Sequence, residues 1–350
     1  MATCSATESN YCSIVAATML LLFGLLMAML DVTGAQTGVC YGLNGNNLPS
    51  SQEVVDLYKS QNIQRMRLYA PTQEALQALI GSNIELMLGV PNEDLQGISS
   101  SNSIANDWVQ KNIVAYSPGV KFAYIVVGNE ISPINDKAQY AIYVLPAMQN
   151  ILAAILASGL QIKVSTSVDT GLLGESFPPA LGQFRDDVIS YIRPIISFLD
   201  QNGAPLLANV YPYFSYKANT GSIDLSYALF TSSSIIVQDP YSGLGYQNLF
   251  NAIVDALHFA LDKADGVNVG IVVSETGWPT AGGTSTTVEN AETYNNNLIQ
   301  HVKIGTPRKH GPLETYVFAM FDENEKSPEE EMHWGLFTPD KQAKYPISFS

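Results

Sequence analysis

Short apolar runs recur along the chain, each followed by a longer stretch whose apolar residues return every three to four positions. The runs fall at 38–42, 64–69, 84–90, 122–128, 162–168, 205–211, 269–274 and 315–321. They are mostly continuous, β-branched or aromatic, as strands buried on both faces of a parallel sheet should be. The stretches between them predict helices at 52–60, 73–80, 104–116, 138–158, 187–199, 248–264 and 288–302. The clearest is 138–158, with Gly159 as a stop and Pro146 expected to bend it. Eight strands alternating with helices predict an α/β fold, a (β/α)8 TIM barrel with strands inside and helices outside. Residues 212–247 break the rhythm after strand six and read as an insertion on the top face.

A different pattern occupies the N-terminus. An apolar run from Ile14 to Leu30 is followed by small residues at Thr33 and Ala35. It reads as a secretory signal over 1–35 with cleavage before Gln36, although no Lys or Arg precedes the run. The run is short for a membrane span and has no basic flank, so no membrane attachment is expected after cleavage. No linker divides residues 36–350, which are expected to form a single catalytic domain containing the 212–247 insertion. Cys40 is then the one remaining cysteine and reads as core packing.

Composition narrows the function. The net charge is −15, with 17 basic against 32 acidic residues. That excess disfavours nucleic acid and anionic lipid as partners. Four scattered histidines and three cysteines show no zinc spacing, so no metal is expected. GxSxG, GxxxxGK[ST] and post-strand GxGxxG signatures are missing, which leaves a hydrolase without cofactor. Eighteen Tyr, 13 Phe and 3 Trp would suit flat, neutral, polar ligands such as sugars, although most aromatics in any protein are core.

In such barrels chemistry sits at the carboxyl ends of strands. Strand four ends Val127-Gly128-Asn129-Glu130, and strand seven ends Val273-Ser274-Glu275. Each glutamate alone reads equally as a loop acid. Two at matched strand ends point to a carboxylate pair, one protonated and one ionised, as glycoside hydrolysis requires. Strand eight leads into a polar cluster, Asp322 to Lys326, followed by Glu329, Glu330 and Glu331. Within it Lys326 is expected to hold Glu275 ionised. Tyr69, Tyr211, Tyr213 and Phe214 also gather at strand ends, where ring faces would stack on sugars, although each alone reads equally as packing.

The segment VGIVVSETGWPTAG at 269–282 resembles the signature of plant glycoside hydrolase family 17, the endo-1,3-β-glucanases. The likeness extends through QTGVCYG at 36–42, MRLYAP at 66–71, VGNEI at 127–131, NVYPYFSY at 209–216, FAMFDENEK at 318–326 and WGLF at 334–337. It implies a retaining endo-hydrolase of β-1,3-glucan, with Glu130 as acid/base and Glu275 as nucleophile. It further implies Glu323, Lys326 and Glu331 as supporting polar groups, with Tyr69, Asn129, Tyr211 and Phe214 touching sugar. Asp322 and Glu325 stand where family members often carry amides, which could move the pH optimum. The chain ends soon after WGLF and is acidic, which resembles secreted, extracellular members active at the cell wall as monomers. Two other readings stay open: a mixed-linkage 1,3;1,4-β-glucanase, and a non-catalytic glucan-binding wall protein.

Overall fold

The computed structural model describes residues 37–349, so the expected signal segment 1–35 lies outside the described residues. Eight parallel strands close a barrel: β1 (Thr37–Tyr41), β2 (Arg65–Leu68), β3 (Glu85–Val90), β4 (Lys121–Asn129), β5 (Lys163–Asp169), β6 (Leu206–Asn209), β7 (Ile271–Thr276) and β8 (Thr315–Val317). Each pairs with its sequence neighbours, and β8 closes on β1 through Thr37 opposite Thr315. All eight expected strands are present. β1, β6, β7 and β8 are buried throughout, because helices cover the outside and side chains fill the interior.

The helices form where the three-to-four spacing places them, and polar caps start several of them. Ser50 and Glu53 make a reciprocal capping box on Ser51–Ser60. Thr72, Ser101, Asn248 and Thr287 cap the helices Gln73–Leu79, Asn102–Asn112, Leu249–Lys263 and Val288–His301. Helix Ala141–Ala157 continues through Pro146. The expected helix at 104–116 is Asn102–Asn112 plus a 3₁₀ turn, Val114–Tyr116.

Three features depart from the sequence reading. A short helix, Leu95–Ser100, precedes Asn102–Asn112. A small antiparallel hairpin, Leu173–Glu175 with Gln183–Phe184, follows β5. Its strands are too short for an alternating pattern to register. The barrel pairing of the last strand also stops at Val317, four residues early. Beyond it, Phe318 donates to Thr276 of β7 and Met320 to Cys40 of β1, while Ala319 turns to Trp334. The insertion at 212–247 holds helices Pro212–Ala218 and Leu225–Ala228 and a hairpin, Val237–Gln238 with Gly245–Tyr246.

Candidate active site

Both glutamates reach the mouth because their strands bulge just before them. On β4, Val126 pairs with Ser165 and Asn129 with Ser167, so three steps on β4 match two on β5. On β7, Val273 pairs with Ala208 and Glu275 with Asn209, so two steps match one on β6. One extra residue re-aims each side chain. Gly128 has φ +81°, and a Cβ there would lie 2.6 Å from Ile131 Cδ1. Glu130 itself has φ +54°, a conformation few non-glycine residues hold. It is over-determined by its surroundings. Its N–H donates to Ser167 O at 2.8 Å, and its carbonyl accepts from Asn135 Nδ2 at 2.9 Å.

Glu275 is buried at 6% exposure, with one ion pair and two hydrogen bonds. Arg67 Nη1 lies 2.8 Å from Oε1, the Tyr69 hydroxyl donates to Oε1 at 2.9 Å, and the Tyr211 hydroxyl donates to Oε2 at 2.7 Å. Burial pushes the carboxyl above its ordinary range. Arg67 opposes that push, Glu130 adds to it, and the two tyrosine bonds lower it. Arg67 is itself buried at 2% exposure. It also donates to Asn209 Oδ1, Asn129 Oδ1 and Ser274 O, so its buried charge is both paired and hydrogen-bonded.

Asn209 links the two acids. Its Oδ1 accepts from Arg67, Ser167 and Ser274, which turns its Nδ2 toward Glu130 Oε1 at 2.9 Å. Lys137 Nζ stands 3.5 Å from Glu130 Oε2. Both side chains of that pair remain 30% exposed. Asp169, at the end of β5, is raised by burial and then by the charge of Glu130.

Lys326 does not bond Glu275. It pairs with Glu323 Oε2 at 3.1 Å and stands over the Phe318 ring at 4.2 Å. The expected cation beside Glu275 is therefore Arg67 of β2. The signal was in the sequence: an arginine between Met66 and Leu68 in a buried strand must face a partner inside the barrel. Lys326 instead acts on Glu331, whose carboxyl is raised by burial and lowered by that ammonium. Glu323 also accepts from the Asn44 N–H at 2.8 Å, and a Cβ at Gly42 would fall 2.3 Å from its Oε1. Asp322 turns away from the mouth to bond Lys344 and the Gly335 N–H.

A cavity of about 560 Å³ opens over this network. Tyr69, Asn129, Glu130, Tyr211, Phe214, Glu275, Glu323, Lys326 and Glu331 all line it. The structure thus brings together all of these residues read from the sequence, but not Tyr213, which is fully buried and bonds Glu330 instead. It adds Leu43, Asn44, Phe318 and Trp334. Tyr211 packs edge-on against Trp334 at 5.1 Å and Phe214 at 5.4 Å, which leaves Phe214 40% exposed as an open ring face. Among the described residues, no group of His, Cys, Asp and Glu could hold a metal ion.

The family model described as glycosyl hydrolases family 17 matches residues 37–349. A glucan endo-1,3-beta-glucosidase of Vitis vinifera is 59% identical over 94% of this chain and 96% of its own. The acidic isoform GL153 of the Nicotiana tabacum enzyme is 54% identical over 95% and 93%. Among solved structures, a β-1,3-glucanase and pollen allergen of Cryptomeria japonica superposes with TM-score 0.87. It is 47% identical, over 90% of this chain and 99% of that one. A plant β-glucan endohydrolase, one of two with distinct substrate specificities, gives TM-score 0.85 at 46% identity, over 89% and 99%.

Proposed function

The chain belongs to glycosyl hydrolase family 17, and from that membership we propose that it is a retaining endo-hydrolase of β-1,3-glucan. One observation carries the mechanism: two glutamates from strand ends share a single cavity in unlike settings. Glu275 is caged by Arg67 and two tyrosine hydroxyls that favour its ionised form, which suits attack on the anomeric carbon. Glu130 is half-open to solvent, which suits a group that must lose and regain a proton each cycle.

In the first step the Glu275 carboxylate forms the glycosyl ester. The glycosidic C–O bond breaks, and Glu130 gives its proton to the leaving oxygen. In the second step Glu130 takes a proton from water, the water oxygen bonds the anomeric carbon, and Glu275 leaves as carboxylate. Two displacements restore the β-configuration. The exposed Phe214 ring, with Tyr69, Asn129, Glu323, Lys326 and Glu331, would contact sugar on either side of the cut. Proton NMR of laminarin hydrolysis should show the β-anomer first; an initial α-anomer would sink the retaining mechanism. A solved relative from a pair with distinct specificities keeps mixed-linkage glucan as the second substrate to assay.

The same reading covers residues 36–350 as one catalytic domain, secreted as a monomer after cleavage before Gln36. The start of β1 and of the family match at Thr37 supports that boundary. The charge of −15 supports an extracellular setting over that of the relatives named basic vacuolar isoforms. Exported protein should begin at Gln36 by N-terminal sequencing, and a start within 21–30 would refute it.

A further inference from the structure

One buried carboxylate outside the cavity joins the loops after β6 and β8 that build its wall, with the loop after β7 closing over it. Glu330 lies in the 3₁₀ turn Glu329–Met332 after β8 and is 5% exposed. Its Oε2 accepts from the Tyr213 hydroxyl at 2.6 Å, and its Oε1 from the Lys217 ammonium at 2.5 Å. Both donors belong to the insertion helix Pro212–Ala218. From the β7 side, the backbone at Gly282 and Gly283 closes over the turn. A Cβ at Gly283 would fall 2.4 Å from Glu330 Oε2, and one at Gly282 would fall 2.6 Å from the Glu330 nitrogen. Burial works against the Glu330 charge, but the bonds from Lys217 and Tyr213 outweigh it and hold the carboxyl below its ordinary range.

Neither Glu330 nor Tyr213 lines the cavity, yet the residue that follows each of them does. Glu331 follows Glu330 in the turn, and Phe214 follows Tyr213 in the helix. The Tyr213 ring also packs edge-on against Phe214 at 5.2 Å and Trp334 at 5.5 Å. Lys217 keeps a 39% exposed side chain, but a charge-assisted bond to a buried carboxylate is shorter and stronger than a neutral one.

We propose that Glu330 is a positioning residue. It clamps the cavity wall built by Tyr211 and Phe214 to the wall built by Glu331 and Trp334, at the spacing that receives a glucan chain. The inference rests on the glucanase reading above. Glu330 touches no reacting atom, so its loss weakens substrate binding and transition-state binding alike. That signature is a raised KM with kcat kept.

Kinetics on laminarihexaose with Glu330→Leu, Glu330→Gln and Lys217→Met provide the test. Glu330→Leu should raise KM roughly five- to tenfold with kcat within about twofold. Glu330→Gln still accepts from Tyr213 and should recover most of that affinity, with Lys217→Met in between. An unchanged KM in folded Glu330→Leu would overturn the clamp, as would an equal fall in kcat and kcat/KM. If Glu330→Leu does not fold, unchanged KM in both milder variants overturns it. A parent chain that neither cleaves nor binds laminarihexaose would sink the glucanase reading and the clamp with it. Normal turnover by the parent beside unmoved variants would sink the clamp alone.

Discussion

The ends of β4 and β7 look alike in sequence, each an apolar run that stops at a glutamate, yet they place those glutamates in opposite environments. Glu275 is closed in by a guanidinium and two tyrosine hydroxyls, at 6% exposure. Glu130 keeps a 30% exposed side chain and holds one amide and a distant ammonium. Each strand bulges by one residue, so the bulge does not separate the two. What separates them is the interior of the barrel. Arg67 of β2 and Tyr69 just after it bond Glu275, whereas Glu130 borders the loop that carries Asn135 and Lys137. A shared local pattern thus yields two carboxylates suited to different halves of one reaction.

Exchanging the acids tests the contrast with the largest effect. Glu275→Gln should lose roughly 10⁴-fold or more in kcat on laminarin while still binding oligosaccharide. Glu130→Gln should also fail on laminarin, but regain turnover on substrates with activated leaving groups or with added azide. Equal behaviour of the two variants on activated substrates would erase the assignment of roles.

Removing a cation is the next step down. Arg67→Met takes away the charge that opposes burial at Glu275, so that carboxyl's pKa rises further. The acidic limb of the pH–rate profile should move to higher pH, with activity at pH 5 falling roughly a hundredfold. Lys326→Met should leave that limb in place and cost only a few-fold, because Lys326 serves Glu323 and Glu331. A limb shift in Lys326→Met as large as in Arg67→Met would return the role to Lys326.

The smallest effect concerns a buried acid far from the mouth. Asp255 is fully buried and is pushed up to about 6, by burial first, while bonds from Thr306 and the Arg308 N–H pull the other way. Its folded pKa lies above the unfolded value of about 3.9. The folded state therefore binds the extra proton, and stability is lost as pH rises from about 4 through about 6. The loss amounts to about 3 kcal/mol at ~1.4 kcal/mol per pH unit. Denaturant midpoints of Asp255→Asn should decline less than wild type across that window. Parallel declines would place the burial penalty elsewhere.

The alternation of apolar runs with helical spacing was enough to locate all eight strands, because a strand buried on both faces must be apolar along its length. Glu130, Glu275 and the tyrosines were legible for a related reason: polar residues straight after such runs have nowhere to go but the barrel mouth. Arg67 lies within the segment MRLYAP, but its partner Glu275 stands more than two hundred residues away, beyond the reach of any local pattern. Lys326 was given that partner on sequence proximity to the acidic cluster, and proximity led to Glu323 instead. Asp322 was expected to matter for pH, and its bond to Lys344 turns it to another task. The hairpin after β5 left too short a pattern to register.

The sequence alone determined the barrel and the strand ends at which the two glutamates stand, since burial period and residue type are local properties. Only the closed tertiary structure decided what surrounds each acid. The bulges that aim the carboxylates, the Arg67 bond and the Glu330 clamp are all contacts between distant segments. Their strength depends on distance and burial, which no local pattern encodes.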